Sequence, residues 1–314
     1  MAHPGTAGLV RRLRRGGTPV VALVHHLRRS EGGPLAPVAA RLERAFLRGC
    51  SAAVCVSEAT EREVRRLAGA SLRTHVAPPA ADQFAPDVSP AAVDRRATAE
   101  PFRVVSVGAL VPRKGHPTLL RALAGLDAVD DADAADGAAG DDRATTDWRL
   151  AVVGPEPDAD HAAGVRRLAA DLGVADRVTF RGELPSADLA ATLRRSHVFA
   201  LPSRYEGFGI ASLEGMGFGL PAVASAAGGA GSVVTDGADG VLVAPGDVAA
   251  VRDALAGLAA DRERLAAMGR AALARFAAHP PWTETVAGVA GFLGDVAGDA
   301  APSRPTTPEV ADGG

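Results

Sequence analysis

Aromatic residues are scarce in this chain, at 4% of 314 residues with one tyrosine and two tryptophans, so Val, Leu and Ala must carry the packing. Few rings are left to stack on bases. A formal net charge of -3 adds no general pull toward nucleic acid or acidic surfaces. The one basic cluster is local: Arg11, Arg12, Arg14 and Arg15, followed by Arg28 and Arg29. It reads as a solvated helix face, with a membrane or anionic-substrate patch as the alternative. The two cysteines, Cys50 and Cys55, flank a short apolar run, and their side chains are expected on opposite faces. No disulfide and no metal-ligand spacing is expected from them. No apolar run reaches the length that spans a bilayer, and no secretory h-region opens the chain. These absences describe a cytoplasmic protein, soluble or at most peripheral at the inner face of a membrane.

With hydrophobic residues at 47%, a sizeable core is assured. Short β-branched runs at 20–24, 53–56, 73–77, 104–107, 150–153, 178–180, 198–201, 222–224 and 241–243 alternate with longer Ala/Leu/Arg-rich stretches. That rhythm predicts an α/β protein with parallel sheets. Ser57, ahead of Glu58 and Glu61, reads as a helix N-cap with acids in the first turn. Pro117 reads as a first-turn proline. The Pro-rich stretch from Pro78 to Pro86, with irregular sequence continuing to about Pro101, marks a linker. Residues 1–97 are therefore expected as one domain plus linker and 98–276 as a second. A helix is expected over 277–300 and a disordered tail over 301–314. Within the second domain, 127–147 is rich in Asp, Ala and Gly and reads as a disordered acidic insertion. It lacks the alternating ligands and distal Glu of a calcium loop, so no metal site is expected.

The chemistry is concentrated in Leu201-Pro202-Ser203-Arg204-Tyr205-Glu206-Gly207-Phe208-Gly209-Ile210-Ala211-Ser212-Leu213-Glu214. A strand ends, a glycine-bearing loop carries one carboxylate, and a helix carries another eight positions on. Ligands of parallel sheets bind at the carboxyl ends of strands. Gly207 and Gly209 permit close backbone approach, and amides at the helix start face an anion. A carboxylate accepts two hydrogen bonds at once and so suits vicinal hydroxyls. Two carboxylates around an amide-rich turn fit a ligand with a sugar at each end and phosphates between them, which is a nucleotide sugar. At another strand end, Val107-Gly108-Ala109-Leu110-Val111-Pro112-Arg113-Lys114-Gly115 offers Gly108 for close approach, Lys114 as a point charge and Arg113 as a fork for a diphosphate. Because Lys114 is not followed by Ser or Thr, this is no P-loop, and no GxGxxG turn supports a dehydrogenase. The glycine of Val152-Val153-Gly154-Pro155 and the small residues of 226–232 line further strand ends.

From about Val104 to Leu273 these motifs resemble the carboxyl-terminal domain of family 4 retaining glycosyltransferases of the GT-B fold, the glycosyl transferases group 1. The resemblance rests on E-x7-E (Glu206, Glu214), on GxL…KG (Gly108, Leu110, Lys114, Gly115) and on the segment Thr235 to Val243. It implies two Rossmann-like domains with parallel sheets, and transfer of a sugar from a nucleotide-diphosphate donor to a glycan, lipid or small-molecule acceptor. No cofactor and no metal are implied. Glu206 would face the donor sugar and Glu214 the ribose, while Lys114 and the amides of Phe208, Gly209 and Ile210 would meet the diphosphate. Residues 20–84 resemble the later part of the family's amino-terminal domain, where His25 would lie near the donor sugar, with His26 as the alternative. The chain departs from the pattern at Ala109, at Ala80-Ala81 and at Ser232. The family's opening strand and glycine-rich loop have no counterpart, so the amino-terminal domain is expected only in part, by truncation or with completion by a second chain. An impaired remnant or nucleotide-sugar-binding subunit is the alternative function.

Overall fold

A computed structural model describes residues 4–31, 35–132 and 146–300. Two parallel sheets organise them. The first is built from α1 (Pro4–Arg15), β1 (Val21–Val24), α2 (Ala36–Leu47), β2 (Ala52–Cys55), α3 (Glu58–Ala68) and β3 (Arg73–Val76). Its strands lie in the order β1-β2-β3, with Val24 opposite Cys55 and Cys55 opposite Val76. Every residue of β2 is buried, as a central strand covered on both faces must be. Cys50 and Cys55 are both free thiols in this core, and burial pushes them up to about 11 and about 12. As read from sequence, Ser57 caps α3, its side chain accepting from Thr60 N.

The second sheet follows from α4 (Pro90–Ala97), β4 (Phe102–Val107), α5 (His116–Ala132), β5 (Trp148–Val153), α6 (Ala159–Asp171), β6 (Val178–Phe180), α7 (Ser186–Arg195), β7 (Val198–Leu201), α8 (Ile210–Gly217), β8 (Ala222–Ser225), β9 (Gly240–Val243), α9 (Val248–Ala260) and α10 (Arg262–Ala277). Its order is β6-β5-β4-β7-β8-β9. The unit's first strand thus sits mid-sheet, and the winding direction reverses between β4 and β7, the switch point where such sheets bind ligands. Trp148, Phe102, Phe199 and Phe218 are the largest fully buried side chains and fix the helices to this sheet.

Three details differ from the sequence expectation. The stretch read as irregular linker holds helix α4, because Ser89 caps it by accepting from Ala92 N, Pro90 sits in its first turn, and Val93 and Ala97 are buried. Arg96 of α4 donates to the carbonyls of Phe218 and Gly219, and His197 ties the same region together. His197 accepts from Arg103 N through Nδ1, so its Nε2–H donates to Arg96 O. Of the segment read as an acidic insertion, α5 takes in the residues up to Ala132 and Asp147 O accepts from Phe102 N, while 133–145 and the tail 301–314 lie outside the described residues. All nine expected strands form, most of them one or two residues longer or shifted at an end.

Helix α11 (Trp282–Ala300) returns to the first sheet. Phe292 stacks on His75 of β3 with centroids 5.3 Å apart, and Thr285 Oγ1 donates to Pro78 O. The opposite edge strand, β1, carries Leu23 at 64% exposure.

Candidate functional site

The loops leaving β4 and β7 meet over the switch point. After β4, a short turn at Pro112–Lys114 ends on Gly115, whose φ of 74° is left-handed. A Cβ there would lie 2.1 Å from Pro202 O, so only glycine lets this turn lie against the end of β7. Arg204 N then donates to Arg113 O at 2.7 Å, joining the two loops through their backbones. Lys114 Nζ consequently meets Glu206 Oε1 at 2.7 Å, across 92 positions of sequence. Both side chains are nearly enclosed, with 12% and 13% of their surface exposed.

Glu206 is held from several sides. Ser203 Oγ, fully buried, donates to the same Oε1 at 2.6 Å, and Arg113 Nη1 stands 3.8 Å from it. The backbone of Glu206 bridges to Gly228, and its carbonyl accepts from Gly229 N at 2.7 Å. This explains the small residues of 226–232: they let the loop run as an extension of the β7–β8 pairing. Gly209 caps α8 from a left-handed conformation, leaving the amides of Phe208, Gly209 and Ile210 at the helix start without a described acceptor.

A cavity of about 290 Å³ opens here. Its lining brings together His25, Arg113, Lys114, Glu206, Phe208 and Ile210, with Gly207 and Gly209 among the wall residues. His26 lines it as well, so the geometry brings both sequence candidates to the cavity. Gly108 stands just outside, with the Lys114 stem beside it. Glu214 is likewise absent from the lining. It lies one turn beyond Ile210 on α8, where burial, and then the charge of Asp82, push its carboxyl up to about 7. Sequence reasoning missed Ser203, which has no motif of its own, and saw Ser57 only as a cap. Ser57 Oγ also donates to Gly207 O at 2.6 Å.

Among the described residues, no cluster of three or more His, Cys, Asp or Glu could hold a metal ion, and no helix is long and apolar enough to cross a membrane. What the site offers an anion is a lysine, an arginine and a row of helix-start amides. What it offers hydroxyl groups is a carboxylate with no described donor to its second oxygen.

The chain is 34% identical over 267 residues to the GDP-mannose-dependent alpha-(1-6)-phosphatidylinositol monomannoside mannosyltransferase of Mycolicibacterium smegmatis, covering 82% of this chain and 65% of that protein. It is 32% identical over 281 residues to the D-inositol 3-phosphate glycosyltransferase of Nocardia farcinica, covering 86% of this chain and 58% of that one. The chain thus spans less than two thirds of the length of these curated relatives. Among solved structures, the fold is similar to sucrose-phosphate synthase from Thermosynechococcus elongatus, with a TM-score of 0.75, 24% identity and coverage of 93% of this chain and 72% of that one. It is also similar to the Anabaena protein Alr3699/HepE in complex with UDP-glucose, with a TM-score of 0.70, 21% identity and coverage of 91% and 77%. Residues 1–83 match the model of Glycosyltransferase Family 4. Residues 93–275, which contain both switch-point loops, match that of Glycosyl transferases group 1, and the chain belongs to this family.

Proposed function

We propose that the chain binds a nucleotide-diphosphate sugar at the β4–β7 switch point and transfers the sugar, with retention of configuration, to a glycan, lipid or small-molecule acceptor. The observation that carries this reading is the meeting of Lys114 with Glu206 beside the free amides of Phe208, Gly209 and Ile210. Lys114 pairs with Glu206. A donor diphosphate displaces that contact and takes the ammonium, together with the helix amides, while Glu206 turns to the sugar hydroxyls. Charge that develops on the leaving diphosphate then meets donors already in place, which is the effective form of electrostatic catalysis. No metal is required for that role. The acceptor oxygen attacks on the face from which the diphosphate departs, and the departing phosphate takes the proton. His25 borders the sugar, and Glu214 receives the ribose hydroxyls.

The relatives' names support GDP-mannose and inositol-bearing acceptors as the first compounds to try, and the Anabaena structure supports UDP-glucose. A lipid acceptor fits a peripheral position at the inner face of a membrane. Helix α1 supports it by carrying Arg11, Arg12 and Arg15 on the same helix as Leu9 and Leu13, which are 56% and 39% exposed. A second reading, donor binding without turnover, is favoured by Ala109, where the chain departs from the family's pattern beside Gly108.

Nucleotide release from GDP-mannose and UDP-glucose, with and without inositol-bearing acceptors, decides between the two. Acceptor-dependent release is expected, and Lys114→Ala should lower it about a hundredfold, the usual cost of removing one leaving-group contact. Saturable donor binding with no release from the folded chain would leave only the second reading standing.

A further inference from the structure

The loop that carries Glu206 is gripped by the first sheet's unit. Ser57 Oγ donates to Gly207 O at 2.6 Å and Thr60 Oγ1 donates to the same oxygen at 3.2 Å, across 150 and 147 positions of sequence. Both hydroxyls are buried, Ser57 at 1% exposure and Thr60 at 0%. The cap of α3 uses only a lone pair of Ser57, which accepts from Thr60 N at 3.1 Å. Its single hydrogen is surplus to the cap, and of the two acceptors in reach, Thr60 Oγ1 at 3.1 Å and Gly207 O at 2.6 Å, the shorter contact is to Gly207. On the other side of the loop, the end of β1 comes so close that a Cβ on Gly207 would lie 2.1 Å from His25 O. Tyr205, buried two residues earlier, lies beside Thr60 and Ser30 of the same unit.

A trans peptide is planar, with its carbonyl and its N–H pointing opposite ways. Fixing the Gly207 carbonyl toward α3 therefore fixes the Phe208 N–H away from it. That N–H has no acceptor among the described residues and borders the cavity. The residue on the other side of Gly207 is Glu206 itself.

We propose that Ser57 and Thr60 are positioning residues of the donor site: by holding the Gly207 carbonyl from the first sheet's unit, they aim the Phe208 amide and Glu206, so that the site is complete only when the two units are closed on each other. The inference rests on the reading of this cavity as a nucleotide-sugar site. It adds that the donor-binding loop takes its geometry from the opposite unit.

The test uses the full chain with Ser57→Gly and Thr60→Val, singly and together. Glycine is nearly as good an N-cap as serine, so α3 survives while the donor to Gly207 is lost. Two readouts are followed: amide hydrogen exchange over 205–210 without ligand, and nucleotide release from GDP-mannose or UDP-glucose. Two lost hydrogen bonds should raise exchange of the loop about tenfold and lower kcat about tenfold, with donor KM within about threefold. Melting temperature and protection of β4 and β7 should hold, and Ser57→Thr should restore both readouts. Loop exchange within about twofold of the parent would overturn the proposal, as would a fall in melting temperature that tracks the loss. If the parent chain releases no nucleotide while loop exchange changes as stated, the clamp stands and the transferase reading falls.

Discussion

At the scale of single residues, Glu214 carries the clearest pH dependence. Burial, then the charge of Asp82, raise its carboxyl from 4.5 to about 7 in the folded chain. Between those values the folded state binds more protons than the unfolded one, so stability is fully present at low pH and is lost as pH rises toward and through about 7. Glu214→Gln removes the penalty. It should leave the unliganded protein no less stable at pH 4.5 and on the order of 2 kcal/mol more stable at pH 8, after allowance for partial solvent access. Urea unfolding at the two pH values measures this, and equal shifts at both would sink it. The same variant should bind nucleotide about tenfold more weakly, because the amide accepts from ribose hydroxyls at one oxygen only. Both glutamates could be singled out in the sequence because they belong to one short segment with a fixed spacing, but the fold brings only Glu206 to the cavity wall. Ser203 could not be singled out, since a serine three residues from a glutamate carries no signal until the loop folds back on itself.

Among the elements, the nine strands were legible because β-branched and apolar runs of three to six residues are bounded by glycine, serine and proline. Helix α4 was not, because its Pro, Ala, Asp and Arg residues lack a wide apolar stripe and only Val93 and Ala97 are buried. The grip of α3 on Gly207 could not be read either, since nothing local to Ser57 points 150 residues ahead. Helix α11 illustrates what long-range packing adds. The sequence indicates a helix near the end of the chain, but its partner emerges only from the fold. Phe292 stacks on His75 and lies 5.7 Å from the Arg73 guanidinium, while Trp282 Nε1 donates to Asp82 Oδ1 at 3.2 Å. The helix thus straps the outer edge of β3 to the second unit. Phe292→Ala should cost about 2 kcal/mol, at the low end for an aromatic truncation because the ring is half-buried. Hydrogen exchange should rise in β3 and spare β4 and β7. Uniform loss of protection in both sheets would show that the strap has no local role.

For the molecule as a whole, the two edges of the first sheet are treated differently. Helix α11 meets β3 through the stack of Phe292 on His75, whereas no described strand pairs with the outer side of β1. Around β1 the surface is apolar: Leu23, Leu35 and Val38 are 64%, 61% and 51% exposed, and they border a groove of about 370 Å³ between β1 and α2. The carboxylate of Glu43 lies in that groove with Oε1 accepting from Arg28 N and Oε2 buried without a hydrogen-bond partner among the described residues. An open parallel edge beside exposed leucines is a pairing surface, and charged residues are the usual device that blunts one. The chain should therefore self-associate as its concentration rises into the range of about 10–100 µM, where exposed edges promote assembly. Leu23→Lys places a charge on that edge without touching the switch-point cavity, so it should return the protein to monomer while donor binding is kept. Sedimentation velocity across a concentration series reads the first effect and nucleotide titration the second. A parent chain that stays monomeric throughout, or a Leu23→Lys variant that associates as the parent does, would show that β1 is not the surface through which this molecule meets another polypeptide.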